Sequence, residues 1–224
     1  SLMMREKISI YKQFSQLLLG DSSLRFTAPF SNATAGTDEI DEALFVSFKR
    51  LFVRDGIKRE TFAIKMIQSS SQPQSPTESG INATNITVSQ LHPATGSVIF
   101  TDVGSSTSVE RSSTGGDVGN IVNAANTAET VGLMFYQQGI AIFDMSKVFH
   151  ADDVMSGSIS SVGAHTSTAI SASFIPDFVT SASIDQVLDH VAETRFGSGS
   201  NTVMTFQNNT KINSTLYFCR ATAD

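Results

Sequence analysis

Val131–Phe149 reads VGLMFYQQGIAIFDMSKVF. Two runs of strand length, VGLMFYQ and GIAIFDM, are separated by a Gln-Gln-Gly step in which Gly139 can take the conformation a tight reversal requires. Both runs are apolar at successive positions rather than at alternate ones. A strand with one wet face alternates, whereas a strand covered on both faces does not. The segment therefore predicts an antiparallel hairpin in the middle of a sheet, with MSKVF continuing as a turn of helix.

The surrounding composition suits such a sheet. The chain has 224 residues, 40% of them hydrophobic and only 16% charged, with 16 Phe, 3 Tyr and no Trp. One β-rich unit of roughly 200–250 residues is a common size. Ser, Thr, Asn and Gly hold positions that Lys and Glu usually occupy, giving a polar surface with little charge. The net charge of −6 argues against nucleic acid, which selects a clustered positive field. A single cysteine, Cys219, excludes an intramolecular disulfide. No apolar run approaches the ~18 residues of a membrane span. The first residues, SLMMREKISIYKQF, carry charges where a secretory signal needs an apolar stretch. The lack of an initiating Met and the strand-like ending NSTLYFCRATAD are read as the boundaries of a piece of a longer chain.

Working outward from the hairpin, Ile8, Tyr11, Phe14, Leu17 and Leu18 form a helical stripe that predicts a helix over about 7–19, with Gly20 as its C-cap. Residues 20–39 carry loop signals. In EALFVSFKRLFVRDGIKRETFAIKMIQ, Phe62, Ile64 and Met66 alternate as a strand does. The first half fits a helix through Phe45, Phe48, Leu51 and Phe52, or a strand through Leu44, Val46 and Phe48. A strand over 43–48 is preferred, with a turn before Gly56. From Ser69 to Thr130 the chain is polar and glycine-punctuated, with short strand candidates at ITVSQL and GSVIFT. GGDVGN, residues 115–120, reads as a turn within long loops. Ser183 and Gln186 form a capping box for a helix over about 184–195. Ile184, Val187, Leu188 and Val191 supply its stripe, and Gly197 ends it. TVMTFQ and NSTLYFCRA predict a last hairpin across NNTK. The expected fold is mainly β. It is an antiparallel, sandwich-like single domain over 1–224, with an N-terminal helical arm at 1–20, two accessory helices and long polar loops.

No residue pattern points to catalysis. His92, His150, His165 and His190 lack metal-ligand spacing. His-Ala-Asp-Asp at 150–153 reads as a polar loop before it reads as a cation site. Cys219 beside Phe218 reads as a small buried side chain. No catalytic residue, cofactor or metal is assigned. Five Asn-x-Ser/Thr triplets, at Asn32, Asn82, Asn85, Asn208 and Asn213, are what a chain this rich in Ser, Thr and Asn produces by chance. The basic cluster Lys49, Arg50, Arg54, Lys58, Arg59 and Lys65 is either a solvated rim or a contact with an acidic neighbour. With a negative net charge, a protein neighbour fits better than DNA. Lys49, Arg50, Arg54, Lys58 and Arg59 are the interaction candidates.

Three strings resemble structural proteins of large contractile-tailed marine bacteriophages. They are LFVSFKRLFVRDGIKRETFAIKM, the opening hairpin VGLMFYQQGIAIFDMSKVF, and STLYFCRATAD. They cover about a quarter of the 224 residues. The chain departs from that pattern at Arg59-Glu60-Thr61, where such proteins would carry Pro-Gly-Ser. The resemblance implies a non-enzymatic virion protein that assembles in many copies in the tail or baseplate, with virion proteins and copies of itself as partners. A receptor- or glycan-binding fibre domain and a capsid-associated decoration protein are the alternatives. Low charge, polar loops and strand-like termini also predict extensive burial against neighbours, chiefly through residues 20–39 and 69–130.

Overall fold

The computed structural model describes residues 2–30, 38–48, 55–67, 97–107, 109–148, 183–192, 204–212 and 214–218. The elements run α1 (Leu2–Leu19), β1 (Ala43–Ser47), β2 (Ala63–Ile67), β3 (Ser97–Thr101), β4 (Glu110–Ser112), β5 (Gly116–Asn123), β6 (Asn126–Phe135), β7 (Ile140–Asp144), α2 (Met145–Val148), α3 (Ile184–His190) and β8 (Met204–Thr205). The fold is mainly β. One antiparallel sheet has the order β1-β7-β6-β5-β3-β2-β8, with β4 paired to β5.

The β6–β7 hairpin is central, as its apolar runs predict. Gly132 pairs with Phe143 and Phe135 with Ile140, and Gly139 closes the turn at φ +65°. Every residue of β7 is buried, because the sheet has two separate cores. Ile140 and Ile142 face the outer core, while Ala141 and Phe143 face the inner one. On β6, Leu133 and Phe135 face outward and Met134 inward, as does Tyr136 just beyond the strand. Val131 also reaches the inner core, because it sits in a register shift where Val122 pairs with Thr130 and Ile121 with Gly132. A bulge inserts one residue and so breaks the two-residue alternation.

The inner core exists because the sheet curls. Phe62, just ahead of β2, and Phe100 on β3 lie 6.5 and 6.4 Å from the Phe143 ring on β7, although those strands are not neighbours in the sheet. Phe48, beyond β1, meets Phe206, beyond β8, at 5.2 Å, so the two sheet edges approach. The opposing layers expected of a sandwich thus belong to one continuous sheet. At one end, Ile57 N–H donates to Tyr136 O and Lys58 N–H to Gln207 O, with Asn209 N–H donating to Gly56 O. Phe62, Ile64 and Met66 are buried as their alternation predicts.

Helix α1 covers the outer face and begins earlier than expected, at Leu2. Leu18 is buried, with Tyr11, Phe14 and Leu19 packed beside it, whereas Ile8 and Leu17 are about half exposed. Phe14 stacks on Phe45 at 4.1 Å. Gly20 ends the helix at φ +84°, as a left-handed C-cap does. The Leu18 carbonyl accepts a short hydrogen bond from Ser112 Oγ on β4.

Residues 20–30 and 38–40 form turns and irregular chain, as their loop signals predict, yet they are packed into the fold. Phe26, Ala28 and Ile40 are buried in the outer core, and Ile40 N–H donates to Phe26 O. One loop expectation needs correction: residues 110–130 are not a long loop, since they form β4, β5 and half of β6. GGDVGN opens the eight-residue strand β5, whose Gly119 lies beneath the Tyr136 ring, where a Cβ would come within 2.3 Å of the hydroxyl. Its small and polar residues are there to admit neighbours, so apolar periodicity cannot reveal it. The expected last hairpin is also absent among the described residues. Beyond the short β8, Leu216, Tyr217 and Phe218 are exposed and in no strand. The strand expected at ITVSQL and the 193–195 end of the second helix lie outside the described residues.

Candidate functional site

Of the five interaction candidates, Lys49, Arg50 and Arg54 lie outside the described residues. Lys58 is exposed, on the segment that ties β6 to residues 207–209. Arg59 is turned inward. Its guanidinium donates to Ser105 O at 2.8 Å and lies over the Tyr136 ring at 4.7 Å. It also faces Asp117 at 3.8 Å, and Asp117 pairs with Arg111 at 2.6 Å. Arg59 therefore holds the fold together rather than forming part of a rim. His92, His150, His165 and Cys219 lie outside the described residues. Among the described residues, no group of His, Cys, Asp and Glu is placed to hold a metal ion.

Next to Arg59 sits a buried polar knot. The Asp102 carboxylate is fully buried and accepts from Glu60 N–H at 2.8 Å, Phe62 N–H at 3.0 Å and Tyr136 Oη–H at 2.8 Å. Burial raises its pKa above the ordinary carboxylate value, and the three donors oppose that shift. Burial, followed by the Asp102 charge, pushes the Tyr136 hydroxyl upward as well. Glu60 takes φ +59°, the left-handed region that glycine prefers. A glutamate thus occupies a glycine-like backbone position in this turn. The side chain is put to use there, accepting from Gly104 N–H, Ser106 N–H and Ser106 Oγ. Those bonds, the Ser106 hydroxyl foremost, hold the Glu60 pKa below the ordinary value. The knot is tightly closed and joins four chain segments. Its geometry is that of a brace.

The accessible feature is a groove of about 710 Å³ along β1, within the size range of ligand clefts. Strand β1 ends the sheet, with β7 on one side and no partner strand on the other among the described residues. Met145 N–H donates to Glu42 O and Phe48 N–H to Gly139 O, so the even-numbered residues point their backbone groups at β7. In an antiparallel strand the alternate residues point the other way. The N–H and C=O groups of Ala43 and Phe45 therefore face the groove, and those of Ser47 point the same way just beyond it. Its walls are apolar and come from three places. Ile8 of α1, Leu24 of the following turn and Leu188 of α3 are 47%, 48% and 47% exposed, and all three line it. Lys7, Arg25, Asp41 and Glu42 also line it. Arg25 is paired with Glu39 and Asp41 at 2.7 and 2.8 Å. Burial lowers the Lys7 pKa. Burial, with Asp144 and Asp41 nearby, raises that of Glu42.

The groove was not legible in the sequence. Ile8 and Leu188 belong to the apolar stripes assigned to packing, yet in the fold they are the outer members of those stripes. Only the strand order reveals that β1 is an edge. No protein-family model matches the chain, and no curated protein and no solved structure matches it either. Among the described residues no helix is long and apolar enough to cross a membrane.

Proposed function

We propose that this chain is a non-enzymatic structural protein of a tailed-phage virion, built into the tail or baseplate in multiple copies. The resemblance of its three strings supplies the particle. The β1 edge, which has no partner strand on its outer side among the described residues, supplies the physical support for assembly. An unprotected edge strand is a template for another chain, and monomeric proteins usually blunt it with charge, proline or a covering element. Here the edge carries Ala43, Phe45 and Ser47 and is flanked by half-exposed apolar side chains from three elements. That pairing of backbone groups with apolar walls suits docking of an extended segment.

Negative-stain imaging of virions with a labelled antibody against the chain tests the reading. Label at the tail or baseplate is the expected result, and label on the capsid alone would favour the decoration-protein alternative. Label on no particle would refute the proposal. Tyr11, Phe14 and Phe45 line the same groove, which is the one observation favouring a glycan-binding domain. However, Tyr11 Oη is already bonded to Ile40 O and Phe26 N–H, and Phe14 is stacked on Phe45. A glycan array would separate the two readings, with no specific sugar retained if the groove serves assembly.

A further inference from the structure

Resting on that assembly reading, we infer that the β1 groove of one copy receives residues 214–218 of a second copy as an added strand. The chain carries both halves of such a junction. The acceptor half is the groove, with the outward N–H and C=O groups of Ala43 and Phe45 along its floor, those of Ser47 continuing the same edge, and Ile8, Leu24 and Leu188 on its walls. The donor half is the segment Ser214-Thr215-Leu216-Tyr217-Phe218, which follows the exposed Ile212. Ile212, Leu216, Tyr217 and Phe218 are 87%, 76%, 82% and 90% exposed, although Thr215, Tyr217 and Phe218 favour strands.

Large apolar side chains left this open mark an interaction segment. Its exposure also shows that the segment does not fill the groove of its own chain. In a paired strand Leu216 and Phe218 would point to one side and Tyr217 to the other. The donor could thus meet apolar wall on both sides of the sheet edge, with α1 and the 22–25 turn on one and α3 on the other. The segment 214–218 carries no charge, so the net charge of −6 is not concentrated at the junction. The donor is anchored where it leaves the domain, since Lys211 N–H donates to Asp55 Oδ2 at 2.9 Å. Because each copy has one groove and one donor segment in different places, the junction is heterologous. It propagates head to tail and closes into a ring or continues as a filament.

Two full-length variants and their mixture test this. The acceptor variant is Ser47→Pro with Leu188→Lys. Proline removes an N–H that faces away from β7, a position where edge strands tolerate it, and Leu188 is half exposed. The donor variant is Leu216→Glu with Phe218→Glu, at exposed positions. Circular dichroism checks that each folds, and Leu24→Lys stands in for the acceptor variant if that one does not. In sedimentation velocity across a concentration series, the wild-type chain should grow in mass with concentration. Each variant alone should stay monomeric. The mixture should stop at a heterodimer, because it contains one intact groove and one intact donor per pair. Hydrogen exchange at the amides of Ala43, Phe45 and Ser47 should slow only in the wild type and in the mixture. A wild-type chain that stays monomeric, variants that oligomerise as it does, or a mixture that stays monomeric would each overturn the strand-addition inference. Antibody labelling of virions is independent of all three outcomes, so the structural-protein reading stands or falls separately.

Discussion

Replacing Asp102 by Ala should be among the most damaging single changes outside the apolar core. The substitution creates little cavity, and the cost comes from the donors it abandons. Phe62 N–H and Tyr136 Oη–H are buried with Asp102 as the acceptor, and a buried donor left unpaired costs ~1–3 kcal/mol. Glu60 N–H, the third donor, belongs to an exposed residue and can turn to water. Two stranded donors give a loss of ~2–6 kcal/mol, centred on ~4 kcal/mol. Tyr136→Phe is the control. It removes the hydroxyl but leaves Asp102 Oδ2 bonded to Glu60 N–H, so the expected loss is ~1 kcal/mol. Phenylalanine also keeps a ring for Arg59 to lie over. Urea unfolding near neutral pH, analysed by linear extrapolation, reads both values, and an unchanged slope shows that the unfolded state is the same. If Asp102→Ala lost no more than Tyr136→Phe, the brace would not be anchored on Asp102 and the reasoning would fail.

Phe135→Ala should lose ~3–5 kcal/mol and Ile142→Ala ~2–5 kcal/mol, since both side chains are fully buried in the outer core. A melting temperature unmoved by either would contradict the two-core sheet. Glu60→Gly and Glu60→Ala discard the same carboxylate contacts, but at φ +59° the glycine variant should be the more stable by ~1 kcal/mol. Equal stabilities would mean that the turn is not left-handed. The pH dependence follows from Asp102. Its pKa is raised by burial, so just above the ordinary carboxylate value the folded chain binds more protons than the unfolded one. The stability of wild type relative to Asp102→Asn should therefore fall as pH rises through the mildly acidic range. Urea midpoints of the two proteins at stepped pH measure it, and a difference that stays flat or rises would contradict the assignment. Glu60 works in the opposite sense, since its lowered pKa gives a contribution that is lost only as pH falls below the ordinary value.

The apolar runs of the sequence determined a good deal by themselves. Consecutive burial in Val131–Asp144 required a strand pair covered on both faces, and the alternation of Phe62, Ile64 and Met66 required one covered on a single face. Gly20 and Gly139 fixed a helix end and a turn, because few other residues accept their positive φ. These signals are local, set by periods of two or 3.6 residues, and so they survive reading along the chain. The tertiary structure alone decided the rest. Strand β5 is carried by Gly119, which makes room for Tyr136, and by Asn120, whose side chain accepts from Phe30 N–H. Its place in the sheet comes from neighbours far away in sequence. Arg59 looked like one more exposed cation until the curl of the sheet brought it onto Tyr136, Ser105 and Asp117. The order of the strands left β1 as an edge and turned Ile8 and Leu188 from stripe members into groove walls. Periodicity records which side of an element is apolar; which neighbour covers that side, and how far, is set by how distant segments close on one another.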